Sequence, residues 1–191
     1  MPTSYVTSLI KIATEQFSQY KNHVETDNVL GPQIKHYWQS LGFGFQSVEV
    51  AWSAVFVSWC VKEAGAKSTE FKFSAAHWEF AKKAIANRKD NTGVFRAFDF
   101  NEVEPELGDI IQNNRNNNKI DYARAATTTE GYPSHSAIVV AKGVDKDGPF
   151  VTTIGGNESN SVRAKRIGLD ANGKIVQRKK DPFICVIKDL K

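Results

Sequence analysis

Three polar residues, far apart along the chain, have types and surroundings that suit nucleophilic catalysis. Ser53 lies early in a nearly uncharged stretch, Ala51 to Gly65, that has the composition of a buried helix. His135 precedes an apolar run typical of a buried strand, and Asn157 follows two glycines about one hairpin later. A serine hydroxyl is an effective nucleophile only when a base lies within hydrogen-bond distance and a third group orients that base. The sequence therefore predicts a hydrolase site with Ser53 as nucleophile, His135 as base and Asn157 as orienting residue.

Each of these residues also has an ordinary structural explanation. A serine before an apolar helix is commonly an N-cap, and an asparagine after glycines is commonly part of a turn. A histidine at a strand end is commonly a hydrogen-bonded structural residue. The shared order of the three favours catalysis, and so does the helix start, because its free N–H groups and dipole can stabilise an oxyanion beside Ser53.

Hydrophobic periodicity predicts helices in the first half of the chain and strands in the second. The predicted helices run from Thr3 to Lys21, from a first turn containing Pro32 to a stop at Gly42, from Trp52 to Ala64, and from an N-cap at Ser74 through Ile85. The predicted strands are 94–98, 109–112, 137–141, 150–154, 162–167 and 183–187. The tight connection from Asp145 to Gly148 favours a hairpin. We expect one α+β domain over residues 1–191, with a helical part (1–90) packed on an antiparallel sheet (91–191).

The segment from Gln112 to Ser134 is rich in asparagine, alanine and threonine and is predicted to be a long loop. A loop of this length in a compact domain is usually functional or disordered. The segment ends directly before His135, so it could form a lid over the site. A mobile insertion is an equally open interpretation.

Composition limits the class of protein. A chain of 191 residues that is 41% hydrophobic can bury one core without disulfide or metal support. Cys60 and Cys185 lie in apolar runs without metal-ligand spacing, so we expect two buried thiols, no metal and no cofactor. The chain shows no signal peptide and no apolar run of about 20 residues, so we expect no membrane insertion. The net charge of +4 would favour a polyanion, but the excess is small and the basic residues are mostly scattered, so a solvated face is the preferred interpretation. We expect a monomer that binds no nucleic acid.

Four segments resemble one known group of enzymes. Trp52 to Trp59 resembles the Trp-Cys-Ala-Ala-Phe-Val-x-Trp signature of CHAP-type amidases and related NlpC-type peptidases of the papain-like superfamily. Similar matches are found for the group's Pro-Gly-Asp-Ile strand, histidine strand and Gly-Gly-Asn turn, in the segments 107–110, 135–140 and 154–162. The resemblance implies a papain-like fold, and it implies an enzyme that cleaves amide bonds in peptidoglycan stem peptides. It places Ser53, His135 and Asn157 at the three catalytic positions, with Glu158 as a second candidate for the third.

The chain departs from this group by having serine where most members have cysteine. A branch with Trp-Ser-Ala-Ala-Phe is also similar, and its Ser-x-Ala-His segment resembles Ser74 to His77. A thiol can be drawn to thiolate by a helix start and a histidine, whereas an alcohol must lose its proton as it attacks. Three interpretations stay open: a working serine hydrolase, an inactive fold that binds the cell wall, and an engineered Cys-to-Ser change.

Further roles follow from the resemblance. Trp52 is expected to shape the substrate cleft, and His77 is expected either to contact substrate or to pack and cap a helix. A wall hydrolase without a visible leader leads us to expect delivery to a target cell by a machine such as type VI secretion, or release by phage lysis. The sequence leaves open whether an immunity protein or a carrier protein is a partner. The remaining alternative function is nucleic-acid binding.

Overall fold

The computed structural model describes residues 2–191, in which five helices accompany one six-stranded antiparallel sheet. The helices are α1 (Ser4–Tyr20), α2 (Leu30–Ser40), α3 (Ser53–Glu63), α4 (His77–Lys89) and α5 (Tyr122–Thr127). The strands are β1 (Phe95–Asp99), β2 (Ile110–Asn114), β3 (Ser134–Asp145), β4 (Gly148–Gly155), β5 (Arg163–Gly168) and β6 (Phe183–Asp189). The α+β class and all six strands are confirmed, while α5 is a helix within the part predicted to be sheet.

Helix α3 is the central helix of the core. Every residue from Ser53 to Val61 is buried, as its uniformly apolar composition predicted. The chain leaves the helix through Gly65, whose φ of +102° is a conformation that side chains other than glycine rarely adopt. Burial on all sides fixes the position of anything that α3 carries at its first turn.

The first two helices begin where side chains cap them. The Thr3 hydroxyl accepts from Val6 N, as expected for a helix from this point. Helix α2 begins at Leu30, which places Pro32 in its first turn as predicted. The Asp27 carboxylate accepts hydrogen bonds from the backbone N–H groups of Val29 and Leu30 at this helix start.

Helix α4 begins at His77, and the prediction that Ser74 is its N-cap is wrong. Ser74 is held instead by Ser58 of α3, whose hydroxyl donates to Ser74 O at 2.9 Å and accepts from Ser74 N at 3.0 Å. The Ser74 hydroxyl accepts from Ala76 N, within the turn before the helix. The contact with α3 therefore decides where α4 begins.

The sheet has the strand order β1-β6-β2-β3-β4-β5. Strands β3 and β4 form the predicted hairpin, with Asp145 paired to Gly148. Alternate residues face two separate apolar clusters, as the two-residue period of a strand requires. Ile110 and Ile138 pack in the cluster that contains the helices, and their neighbours Ile111 and Val139 pack in a smaller cluster on the opposite face.

The segment between β2 and β3 is structured, so the prediction of a long loop is wrong. It contains α5, whose N-cap Asp121 accepts from Arg124 N at 2.7 Å and whose Ala125 is fully buried. The Asn114 side chain stabilises the turn before α5, because it accepts a hydrogen bond from Ile120 N and donates one to Ile120 O. These local side-chain hydrogen bonds order the segment, which is therefore not a mobile insertion, while its role as a lid stays a prediction.

Cys60 and Cys185 are both buried free thiols, as predicted. Burial raises the pKa of each thiol above its ordinary value. Within residues 2–191, none of the helices has the length and apolar character required to cross a membrane.

Candidate functional site

Ser53 is the first residue of α3, and its hydroxyl contacts a histidine. Trp52 occupies the N-cap position, and its side chain makes no capping hydrogen bond. The Ser53 Oγ instead lies 2.6 Å from Nε2 of His77, a hydrogen-bond distance between two buried groups. The ordinary explanation of Ser53 as an N-cap is therefore wrong.

His77 is the first residue of α4, so two helices begin at this pair. Their free N–H groups and the positive ends of their dipoles converge on the Ser53 and His77 side chains. Such a field stabilises a negative charge that develops near Ser53 and disfavours a positive charge on the imidazole.

The His77 imidazole is neutral near pH 7. Burial, with smaller contributions from His135 and Arg115, lowers the pKa of His77 well below its ordinary value of 6.5. A neutral ring can accept the Ser53 proton at Nε2, which places the ring's own proton on Nδ1. The Nδ1 atom is buried without a hydrogen-bond partner among the described residues, and the ring packs edge-on against Phe80.

His135 opens the buried part of β3 and pairs with Glu158. Its Nε2 donates to Glu158 Oε1 at 2.9 Å, and the ammonium group of Lys165 contacts the other carboxylate oxygen. Burial alone would raise the pKa of Glu158, but the hydrogen bonds and charges of His135 and Lys165 outweigh it and lower that pKa. Glu158 is therefore a carboxylate that accepts a hydrogen bond from His135 and forms an ion pair with Lys165.

The two imidazoles lie side by side. The ring centroids of His77 and His135 are 5.4 Å apart and their planes are inclined at 60°. The order in space is thus Ser53, His77, His135, Glu158. The prediction that His135 is the direct hydrogen-bond partner of Ser53 is wrong, because His77 occupies that place.

Asn157 shapes the turn and does not orient His135. Its φ of +55° is a left-handed conformation that asparagine tolerates better than most residues. This conformation turns the chain so that the next residue, Glu158, reaches His135. The ordinary explanation of Asn157 as a turn residue is confirmed, and Glu158, the second candidate for the third position, is the residue that contacts His135.

The glycines before this turn allow its close approach to α3. A Cβ at Gly156 would lie 2.6 Å from Trp52 Cζ3, and one at Gly155 would lie 2.6 Å from Glu158 Oε1. Neither position can accept a side chain unless the site moves. The Gly-Gly pair therefore sets the distance between the turn and the helix.

Trp52 supports the site from within the core. It is fully buried, and its Nε1 donates to Glu25 Oε2 at 2.9 Å. Glu25 N in turn donates to Asn160 O, which ties the segment after α1 to the turn. The prediction that Trp52 shapes the cleft is wrong, because its ring lies beneath the turn.

A cleft of about 420 Å³ lies on the other side of His135. His135, Asn157 and Glu158 line it, together with residues of β2 to β6 such as Ile111 and Thr153. Ser53 and His77 are not among its lining residues, and the exposed fraction of Ser53 is only 2%. The hydroxyl therefore lies behind the imidazoles, beyond the inner wall of the cleft.

The sequence assigned His77 only to substrate contact or to packing and capping, and it gave Glu158 only as the second candidate for the third position. The Ser-x-Ala-His segment was the signal for His77, but a separation of 24 residues says nothing about distance. Among the residues that the structure describes, no three His, Cys, Asp or Glu side chains are grouped as metal ligands.

Comparisons with known proteins give one match. Neither the curated proteins nor the solved structures include a significant match to this chain. A family profile matches residues 20–185, a range that contains Ser53, His77, His135 and Glu158. The match covers most of the chain, which therefore belongs to the family described as uncharacterized proteins conserved in bacteria, DUF2272.

Proposed function

We propose that this protein is a hydrolase that cleaves amide bonds of cell-wall peptides, with Ser53 as nucleophile and His77 as general base. The observation that carries the proposal is the 2.6 Å contact between Ser53 Oγ and His77 Nε2 at the first turn of α3. A nucleophile within hydrogen-bond reach of a neutral imidazole is the arrangement that serine catalysis requires.

The reaction follows from these atoms. As Ser53 Oγ attacks the amide carbonyl carbon, its proton passes to His77 Nε2, and the carbonyl oxygen gains the negative charge. The free N–H groups at the start of α3 stabilise that oxyanion. The proton on Nε2 then passes to the leaving amine nitrogen as the C–N bond breaks. Water attacks the acyl-enzyme, His77 takes its proton, and the carboxylic acid product leaves with Ser53 restored.

His135 and Glu158 are positioning residues in this proposal. The His135 ring packs beside His77 and lines the cleft, so it separates the base from solvent. The Glu158 carboxylate fixes the tautomer of His135 with the proton on Nε2. In the neutral form of His135, this leaves Nδ1 as the nitrogen that can accept a hydrogen bond from a substrate N–H.

The order of elements supports a papain-like fold. A buried helix carries the nucleophile, a following antiparallel strand begins with histidine, and the turn after the next strand supplies its partner. This is the order that the resemblance to CHAP-type and NlpC-type enzymes implies, and it supports peptidoglycan stem peptides as the substrate class. Delivery to the wall of a target cell belongs to the same proposal, and toxicity on periplasmic but not cytoplasmic expression is its expected signature.

Digestion of purified sacculi tests the activity. Wild type is expected to release soluble muropeptides, detected by mass spectrometry, and Ser53→Ala is expected to release none above background. Ser18→Ala, at an exposed position of α1, is the matched control and should behave as wild type. Equal release by wild type and Ser53→Ala, or no release by either, contradicts the enzymatic proposal.

A second function, a binding module without catalysis, is favoured by one observation. Ser53 is 2% exposed and does not line the cleft, so substrate can reach it only if the residues that cover it move. Co-sedimentation with sacculi separates the two functions. Equal sedimentation of wild type and Ser53→Ala without any muropeptide release is the result expected of the binding module.

A further inference from the structure

The cleft beside His135 has a strongly basic lining. Five of its side chains are basic and two are acidic, which leaves a net of three positive charges beside the imidazole. The basic residues are Arg115, Lys165, Arg166, Arg178 and Lys180, and the acidic residues are Glu158 and Asp181. The whole chain carries a net charge of only +4, so the positive charge is concentrated at this cleft.

Two of the five cations are neutralised by other side chains. Lys165 contacts the Glu158 carboxylate. Arg166 binds Asp145 through two nitrogens, at 2.9 and 2.8 Å, and its guanidinium stacks on Phe150. These two residues stabilise the hairpin and the turn, and their charges are not available to a ligand.

The other three cations, Arg115, Arg178 and Lys180, have no carboxylate within ion-pair distance in the described part of the chain. Arg178 is nevertheless held in place, because its guanidinium lies 4.4 Å from the Phe183 ring and its Nε donates to Asp181 O at 3.0 Å. Its terminal nitrogens remain for another acceptor. Arginine presents such nitrogens as a planar fork that matches an oxyanion.

Arg115 connects the cleft with the Ser53 and His77 pair. It follows β2 directly, and its backbone N donates to Pro133 O, which lies two residues before His135. Arg115 lines the cleft, and His135 lines it at the point where its ring meets His77. An anionic ligand held by these cations would therefore present its neighbouring groups to His135.

We propose that this cleft binds the carboxylate groups of an acidic peptide, with Arg115, Arg178 and Lys180 as the binding residues. Three cations opposed by the single carboxylate of Asp181 leave an excess of two positive charges, which suits a ligand with two carboxylates. The choice of a peptide rests on the proposed function, because His135, which packs against His77, lines this cleft, whereas binding of an oxyanion does not depend on catalysis.

Calorimetry with short peptides tests this inference in the Ser53→Ala protein, in which turnover cannot occur. The probes are N-acetyl-Ala-Glu, N-acetyl-Ala-Gln amide and inorganic phosphate, each measured at low and high ionic strength. The glutamyl peptide is expected to bind at least about ten-fold more tightly than the amide, with affinity that falls as salt screens the charges. Arg178→Gln and Arg115→Gln should each weaken it about ten-fold, and Arg124→Gln, exposed on α5, should not.

Three outcomes overturn the inference: equal affinity for the two peptides, no effect of the cleft substitutions, or tighter binding of phosphate than of the glutamyl peptide. Failure of the proposed function looks different. If peptide binding depends on charge but wild type releases no muropeptides, the proposal of hydrolysis is wrong and the proposal of carboxylate binding in the cleft stands. If Arg178→Gln and Arg115→Gln leave muropeptide release unchanged, the proposal of carboxylate binding in the cleft is wrong and the proposal of hydrolysis stands.

Discussion

His77 Nε2 lies 2.6 Å from Ser53 Oγ, although 24 residues separate the two along the chain. The contact exists because α3 and α4 both begin at this point and because Ser58 holds the segment before α4. The turn with Glu158 then closes against the same place through Trp52. Three separate segments must therefore fold together before the pair can form.

Replacement of His77 by alanine should abolish hydrolysis, since no other base lies within hydrogen-bond distance of Ser53 among the described residues. General base catalysis contributes about 100-fold to 10,000-fold to rate, and we expect a loss in this range. The measurement is muropeptide release from sacculi at equal protein concentration. The control is His36→Ala, at an exposed position of α2, and release by His77→Ala equal to that control would contradict the assignment.

The roles of Glu158 and Asn157 can be separated by two substitutions. Glu158→Gln removes the charged acceptor of His135, and a hydrogen bond to a charged group contributes about 1.5–3 kcal/mol, or about ten-fold to a hundred-fold in rate. Asn157→Gly keeps the left-handed turn, since glycine adopts this conformation readily, and should retain most activity. The reverse pattern of release rates would restore Asn157 as the orienting residue.

Replacement of Ser53 by cysteine should not create an efficient thiol enzyme. A thiolate needs an imidazolium or another cation beside it, and the low pKa of His77 keeps this ring neutral. Burial at this position disfavours the thiolate, so the thiolate fraction is small at neutral pH and activity should rise about ten-fold per pH unit from pH 6 to 8. A rate for Ser53→Cys that exceeds wild type and is independent of pH from 6 to 8 would show that the site stabilises an ion pair.

Ser58 should contribute more to stability than its size suggests. Alanine at this position leaves the buried N–H and C=O groups of Ser74 without partners, which costs about 2–4 kcal/mol. Urea unfolding measures the loss, and the matched substitution Ser18→Ala on the exposed face of α1 should change stability by less than about 0.5 kcal/mol. Similar midpoints for the two variants would mean that Ser58 does not hold the start of α4.

Local sequence pattern predicted the elements better than it predicted the site. Apolar periodicity gave α1, α3 and the six strands, because burial dictates that pattern. It could not give the contact of His77 with Ser53, which depends on the bond between Ser58 and Ser74 across the core. It also could not choose between Asn157 and Glu158, since the left-handed residues of this turn, Asn157, Ser159 and Asn160, decide which side chain faces His135.

Burial of His77 should make stability depend on pH below 6.5. As pH falls through this value the unfolded chain protonates His77, whereas the folded chain does not until a much lower pH, because burial lowers the pKa. The unfolded state therefore binds more protons in this window, and His77 reduces stability by up to about 1.4 kcal/mol per pH unit of acidification. Burial raises the pKa of Asp189 to about 6, so protonation of Asp189 stabilises the folded state as pH falls, opposite to the effect of His77. The effect of His77 is therefore measured as the difference in the free energy of unfolding between wild type and a His77 variant. Urea unfolding of wild type and His77→Gln between pH 7 and 5 gives this difference. The free energy of unfolding of wild type should fall with pH relative to that of His77→Gln. Ser53→Ala, which keeps His77, should show the same pH dependence as wild type. Parallel curves for wild type and His77→Gln would mean that the folded protein accommodates a charged His77.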